Sequence, residues 1–497
     1  MKFFRKYHKW LGIIFTLFIL LYALSGIVLN HRGLFASFNV SRNILSDDYK
    51  YTNWNNAAIK GTLKINNDSV LAFGNVGIWL TDSTFSSFSD FNVGIPEGID
   101  TKKIYKLHKT SQGKLLAATL FGLYEYQQTQ WHKIPFTDKS IMDIASKNDT
   151  TLLLTRSHLY KTTNFVDFKK IVLPEPPNYK HKISLFKTLW FIHSGEILGH
   201  GGKLFTDFMG LIFIFLSITG LVYFIAPSLI RRKKRKEKSV KRTVRVNRFS
   251  LKWHNKLGWP LILFLIITTL TGMFLRPPLL IAIMNSKVGK IPFTELDTPN
   301  AWYDKLRRVI YDEQNKQYVF ATIDGVFIGN EHLNKNLFPA KTQPPISVMG
   351  VNAFEQIASN VFLIGSFEGL FIWDNNNGEV WDYIENRIYT PPARKGPPVG
   401  KHMIAGYTSH YHYGRIYFDY NYGATPLFHS KPLAAMPFNI KTQAMSIWNF
   451  ALEVHTMRIF NSIIGMFYLL IIPLSGLAIL FILISGFFVW YKKHRKK

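Results

Sequence analysis

Apolar residues along this chain are gathered into four long runs. Leu11–Leu29 holds 19 residues without a charge, and Phe208–Ile230, Trp259–Leu275 and Ile463–Trp490 complete the set. A hydrocarbon core of roughly 30 Å takes about 20 apolar residues as helix, and a helix satisfies its backbone groups internally. The pattern therefore predicts four transmembrane helices. The first differs from a cleaved signal peptide: its run is too long, and it ends in Asn30-His31-Arg32 without a small-residue cleavage site. An uncleaved anchor is expected.

The helices alternate with long segments that read differently. Val70–Trp79, Leu115–Tyr124, Thr151–Tyr160, Tyr318–Phe327 and Phe362–Phe371 each show an apolar strand, a small turn and a second apolar strand. Four carry glycine at the turn (Gly77, Gly122, Gly325, Gly369) and the third carries His158, with a degenerate sixth copy expected at Gly414–Tyr417. Spacings of about 36 to 45 residues match propeller blades of four short strands. The strand, the Ala/Gly-Thr step and Gly-Leu-Tyr resemble the propeller repeats of two-component-regulator sensor ectodomains. One propeller of about six blades and two independent β-rich domains both stay open.

Charge orients the layout. The chain carries 60 Lys and Arg against 31 Asp and Glu, a net +29. Three short segments hold 22 of those cations and one acid: the stretch before the first run, residues 231–256, and the tail after the last run. The positive-inside rule places all three in the cytoplasm. Beside a span, such a basic run acts as a topology signal or an anionic-lipid contact, so no nucleic-acid partner is expected. The expected class is a four-helix transmembrane bundle from an internal duplication plus a β-rich extracytoplasmic domain. Its parts are a tail and first helix (1–31), an outer segment (32–182), a lead-in and second helix (183–230), a basic loop (231–256), a third helix (257–276), a second outer segment (277–446), a lead-in and fourth helix (447–491) and a cytoplasmic tail (492–497).

The duplication repeats histidines. His8 opens the first helix and His254 the third, while His193 precedes the second helix and His455 the fourth. His31 closes the first helix. A Ser/Thr-Gly pair marks every span: Ser25-Gly26, Thr219-Gly220, Thr271-Gly272 and Ser475-Gly476. Ionisable groups at membrane depth are costly and functional by default, although an interfacial His beside aromatic belts is the plainer reading of any single one. With no cysteine in the chain, iron–sulfur clusters, thiolate sites and covalent haem are excluded. Facing imidazoles across a helix bundle suit a six-coordinate b-type haem, and two such sites are expected, on His8, His254, His193 and His455. His31 and His200 are alternative ligands, His200 lying where Gly199, Gly201 and Gly202 interrupt a helix, and Arg458 could pair with a haem propionate. Zinc is the competing ligand, weakened because no carboxylate recurs at these places. His410 and His412 would share one face of a strand and could bind a metal or an iron chelate.

His8-Lys-Trp-Leu-Gly, His193-Ser-Gly, His254-Asn-Lys-Leu-Gly-Trp, His455-Thr-Met-Arg and the Ser/Thr-Gly pairs resemble the PepSY-associated transmembrane family. That group includes inner-membrane reductases of ferric siderophores and is linked to bis-histidine b-type haems in a four-helix unit. The resemblance implies haem-dependent electron transfer to an extracytoplasmic acceptor, plausibly a ferric chelate. Members usually insert a small α/β PepSY module, for which the propeller-like strands stand here. Residues 231–256 hold no Gly-rich nucleotide fingerprint, so a quinol or a separate protein is expected as donor. The rivals are a membrane-anchored sensor or scaffold, and a transporter subunit, the latter weakened because the spans lack a buried acid.

Overall fold

The computed structural model describes residues 2–138, 140–391 and 400–494; the last three residues of the expected tail lie outside them. The chain forms two compact units. One comprises residues 1–35, 181–298 and 447–497, and is helical. The other comprises residues 36–180 and 299–446, and is built of strands.

In the helical unit, α1 (Lys2–Asn30), α2 (Leu185–Ser194), α3 (Gly199–Arg235), α4 (Lys241–Gly258), α5 (Ile262–Met273) and α6 (Leu279–Ile283) precede the second long excursion. After α7 (Phe438–Lys441) in the other unit come α8 (Ile447–His455), α9 (Asn461–Ile464) and α10 (Ile471–His494). Among the described residues, three helical stretches are long and apolar enough to cross a membrane, Lys2–Asn30, Glu196–Arg235 and Arg458–Lys493, and α4 with α5 passes together as a bent fourth. The third predicted helix is broken. α4 and α5 meet at a 73° bend, where Pro260 supplies no N–H and disfavours helix in the residue before it. The fourth is regular only from Ile471. Gly465 at φ 55° turns the chain left-handed, and residues Gly465–Leu470 wind as a tighter 3₁₀ segment. Gly199, Gly201 and Gly202 do not interrupt the second helix as expected; they open it. Gly202 lies against the Gly195 carbonyl, where a Cβ would sit 2.1 Å from the oxygen, so bare glycine lets the α2 end and α3 pack.

Among the described residues of the strand unit, Asn39–Val40 pairs with Met445–Ser446, and six antiparallel sheets of three to five strands follow in chain order. The first spans residues 61–90, the second 104–134 and the third 141–171; the fourth spans 306–339, the fifth 351–388 and the sixth 404–427. Each packs a buried face on the next. Leu71 and Ile78 of the first meet Leu107 and Tyr124 of the second, and Leu116 meets Ile144 and Leu153 of the third. Leu152 and Leu154 meet Val309 and Phe320 of the fourth, and Val319 and Val326 meet Phe362 and Trp373 of the fifth. Leu363 and Leu370 meet Ile404 and Tyr417 of the sixth. Finally Ile416 and Phe418 of the sixth pack with Val70 and Ala72 of the first. The two outer segments are thus joined by two of these clusters into one compact unit rather than two independent domains.

The repeated turn has a physical reason. Thr119 and Thr322 donate their hydroxyls across it to the carbonyls of Gly122 (2.9 Å) and Gly325 (2.8 Å), and Gly122 sits at φ 148°, a backbone that a side chain rarely tolerates. In the sixth sheet this place, the start of the third strand, belongs to Gly423 rather than Gly414, which opens the second strand (Gly414–Asp419). The expected sixth copy was one strand early because its Gly-Arg-Ile-Tyr imitates the motif.

His108 lies half-buried between the second and third sheets, its Nε2 2.6 Å from Ser146 Oγ. Burial, aided by Lys106, pushes its pKa down to about 4, against a weaker opposing pull from Asp143. The unfolded chain, with His near 6.5, then binds more protons than the folded one between those values. Stability should fall as pH drops from about 6.5 towards 4. Chemical denaturation across that range should show part of the slope vanishing in His108→Gln; an unchanged slope would contradict this.

Candidate functional site

Four histidines of the helical unit sit in four copies of one small construction. His8 (α1) places Nδ1 2.9 Å from the Ile482 carbonyl and 3.3 Å from Ser485 Oγ on α10. His455 (α8) places Nδ1 3.1 Å from the Tyr22 carbonyl and 3.0 Å from Ser25 Oγ on α1. His193 (α2) places Nδ1 2.9 Å from the Thr268 carbonyl and 3.5 Å from Thr271 Oγ1 on α5. His254 (α4) places Nδ1 3.0 Å from Thr219 Oγ1 on α3 and also bonds the Leu216 carbonyl. In each case the carbonyl lies three residues before the hydroxyl.

The chemistry of this arrangement is fixed by its acceptors. A carbonyl oxygen can only accept, so Nδ1 must carry the proton, and in the neutral ring Nε2 keeps its lone pair. The hydroxyls reinforce this. Thr219, Thr271 and Ser25 give their own protons to the carbonyls of Phe215, Ile267 and Leu21 one turn back, and Ser485 gives its proton to Ile482 (3.0 Å). Each oxygen therefore turns a lone pair towards the histidine. Glycine follows each hydroxyl residue, and the ring lies against it. A Cβ would sit 2.6 Å from His193 Cε1 at Gly272, 2.9 Å from His8 Cε1 at Gly486, 3.4 Å from His455 Cε1 at Gly26 and 3.5 Å from His254 Cε1 at Gly220.

The four rings come together in two pairs. His8 and His254 have centroids 6.2 Å apart, and His193 and His455 have centroids 6.0 Å apart. α1 joins the pairs, carrying His8 near one end and the Ser25-Gly26 seat of His455 near the other, about 25 Å further along its axis. Two imidazoles on opposite sides of one metal, at about 2 Å each, put their centroids about 6 Å apart. The residues present fit a bis-histidine haem at each pair. They do not fit tetrahedral zinc: among the described residues, no group of three His, Cys, Asp or Glu could hold a metal ion.

The other expected site residues lie elsewhere. His31 is not in a pair; its Nε2 is 2.6 Å from Asp207 Oδ2, and Asn30 Nδ2 donates to Asp207 Oδ1 at 2.9 Å. Asp207 lies within α3 but one residue before the apolar run Phe208–Ile230, and it is only partly buried. His200 is exposed in the first turn of α3. Arg458 forms an ion pair with the buried Glu453; Arg276, not expected from the sequence, lies within electrostatic reach of both. Ser475-Gly476 seats no histidine. Ser475 Oγ is 2.8 Å from the Tyr22 hydroxyl, and Gly476 lies against Met273. The seat in the last helix is Ser485-Gly486, ten residues later, which sequence reasoning missed; its depth, level with His8 at the helix end, was the available signal. His410 bonds Thr62 Oγ1 at 2.8 Å, while His412 lies beyond the strand Ile404–Tyr411 and its register shift. The two therefore do not share a strand face.

The family model described as the PepSY-associated TM region matches residues 123–493. The chain belongs to this family. No curated protein matches the chain. Among solved structures it is similar to one described as the extracellular domain of a hybrid two-component system, BT4673 of B. thetaiotaomicron, at 10% identity and TM-score 0.35, covering 74% of this chain and 32% of that one. A second, described likewise for BT3049 of the same organism, shares 11% identity at TM-score 0.32, covering 77% of this chain and 44% of that one. The chain thus spans less than half the length of either. The family match takes in three of the four paired histidines, His193, His254 and His455, and leaves His8 before its start.

Proposed function

We propose that this protein is a haem-dependent electron carrier across the bacterial inner membrane, holding two b-type haems and reducing an extracytoplasmic ferric chelate, such as a ferric siderophore, in iron acquisition. The observation that carries the reading is the fourfold seat: four histidines with Nδ1 committed to a carbonyl, paired at 6.2 and 6.0 Å. His8 with His254, and His193 with His455, hold the iron through Nε2. When bound, haem supplies a one-electron couple at each end of α1. Arg276, within electrostatic reach of His455 and of Arg458, is with Arg458 suited to a propionate there. Apolar helices around each pair exclude water and lower the local dielectric, which strengthens these contacts.

In this reading the basic segments lie in the cytoplasm, both termini with them, and the strand unit lies outside as a six-bladed propeller. A quinol or a separate protein is the donor, and each ferric ion accepts one electron to leave its chelator as Fe(II). Proteoliposomes test this. With a membrane-soluble quinol as donor and a ferric chelate in the compartment facing the strand unit, Fe(II) captured by a chromogenic chelator should appear far faster than in protein-free vesicles. Equal rates would overturn the proposal.

A further inference from the structure

The basic end of α3 carries more than a topology signal. Its outward stripe begins with Ile218, Leu221, Ile225 and Leu229, all exposed large hydrophobics. It continues on the same face, at steps of three and four residues, into Ser228, Arg231, Arg232, Arg235 and Lys236. These last five line one groove of about 520 Å³. Ser228 Oγ accepts a hydrogen bond from an Arg231 Nη at 3.4 Å. Among the described residues, none of the four cations is ion-paired with a carboxylate, and Glu237 is the only acid in residues 231–256. α4 returns beside this end, with Lys233 Nζ bonded to Thr243 Oγ1 at 2.9 Å, and adds Arg242, Arg245 and Arg248, exposed and of the same sign.

A hydroxyl, four unpaired cations and a continuous apolar stripe above them match, in order, the phosphate and the acyl chains of a phospholipid. A free phosphate would use the groove and ignore the stripe. A zwitterionic lipid would bring its own cation into a groove that already holds four. We infer that this face of α3 binds an anionic phospholipid, with its phosphate among Ser228, Arg231, Arg232, Arg235 and Lys236 and an acyl chain along Ile218, Leu221, Ile225 and Leu229. The inference does not depend on the haem reading, and its test needs no cofactor.

Purified full-length protein in detergent is titrated with phosphatidylglycerol or with phosphatidylcholine of the same acyl chains, and bound lipid is counted by native mass spectrometry. Phosphatidylglycerol should bind at least about tenfold more tightly, since cations beside an anionic headgroup act additively. The variant R231Q/R232Q/R235Q/K236Q should lose that preference, while R231K/R232K/R235K should keep it. Inorganic phosphate at the same concentration should not displace the lipid. Equal binding of the two lipids by the unaltered protein, an unchanged preference in the neutral variant, or displacement by inorganic phosphate would each overturn the inference.

Discussion

Alanine at His455 is expected to reduce bound haem from two per chain to one, and alanine at His8 to remove the other, with the double variant holding none. In the proposed pairs, each substitution would take away one imidazole and leave a single one, His193 or His254, to hold the haem. Neither alternative histidine is placed to replace the lost ligand, since His31 is held by Asp207 and His200 is exposed. Alanine at His31 or His200 should therefore leave both haems in place. Haem per chain, measured by pyridine haemochrome on equal amounts of purified protein, separates these cases. Two haems retained in either His8→Ala or His455→Ala would refute the assigned pairs.

Alanine substitutions at the four seat glycines should divide two against two. At Gly272 and Gly486 a Cβ would stand 2.6 and 2.9 Å from the imidazole it faces, so the ring or the helix must move. At Gly26 and Gly220 the distances are 3.4 and 3.5 Å, near ordinary contact. All four glycines are helical, where alanine is favoured by about 1 kcal/mol, so lost helix cannot account for a defect. Gly272→Ala should empty the His193/His455 site and Gly486→Ala the His8/His254 site, while Gly26→Ala and Gly220→Ala keep both. Loss at all four positions, or at none, would show that the seats do not position the rings. Oxidised and reduced spectra of the four variants give the answer.

Much of this site was legible in the sequence because duplication preserves order. The four histidines recur at matching ends of the spans, and three of their four seats were visible as Ser25-Gly26, Thr219-Gly220 and Thr271-Gly272. The pair noted in the fourth span, Ser475-Gly476, is not a seat: α10 holds two Ser-Gly pairs, and only contact with His8 distinguishes Ser485-Gly486. The carbonyl acceptors have no sequence signature, since any residue three before the hydroxyl supplies one. Helix position was read well where hydropathy alone decides it, in α1 and α3. Where a single residue interrupts a long apolar run, at Pro260 and Gly465, the span is kept but its helix is bent or locally rewound. Asp207 escaped notice because it stands one residue before the apolar run begins. In the strand unit, local repeats marked five sheets. The sixth was misregistered, since Gly423 follows a Tyr-Asn-Tyr turn unlike the other copies.

The most direct test of the account is the absorption spectrum of the detergent-purified protein, expressed with haem supplied. Two bis-histidine sites predict a strong Soret band that sharpens and shifts on addition of dithionite, with narrow α and β bands of low-spin iron. A spectrum with no Soret band, unchanged by dithionite, would contradict the account.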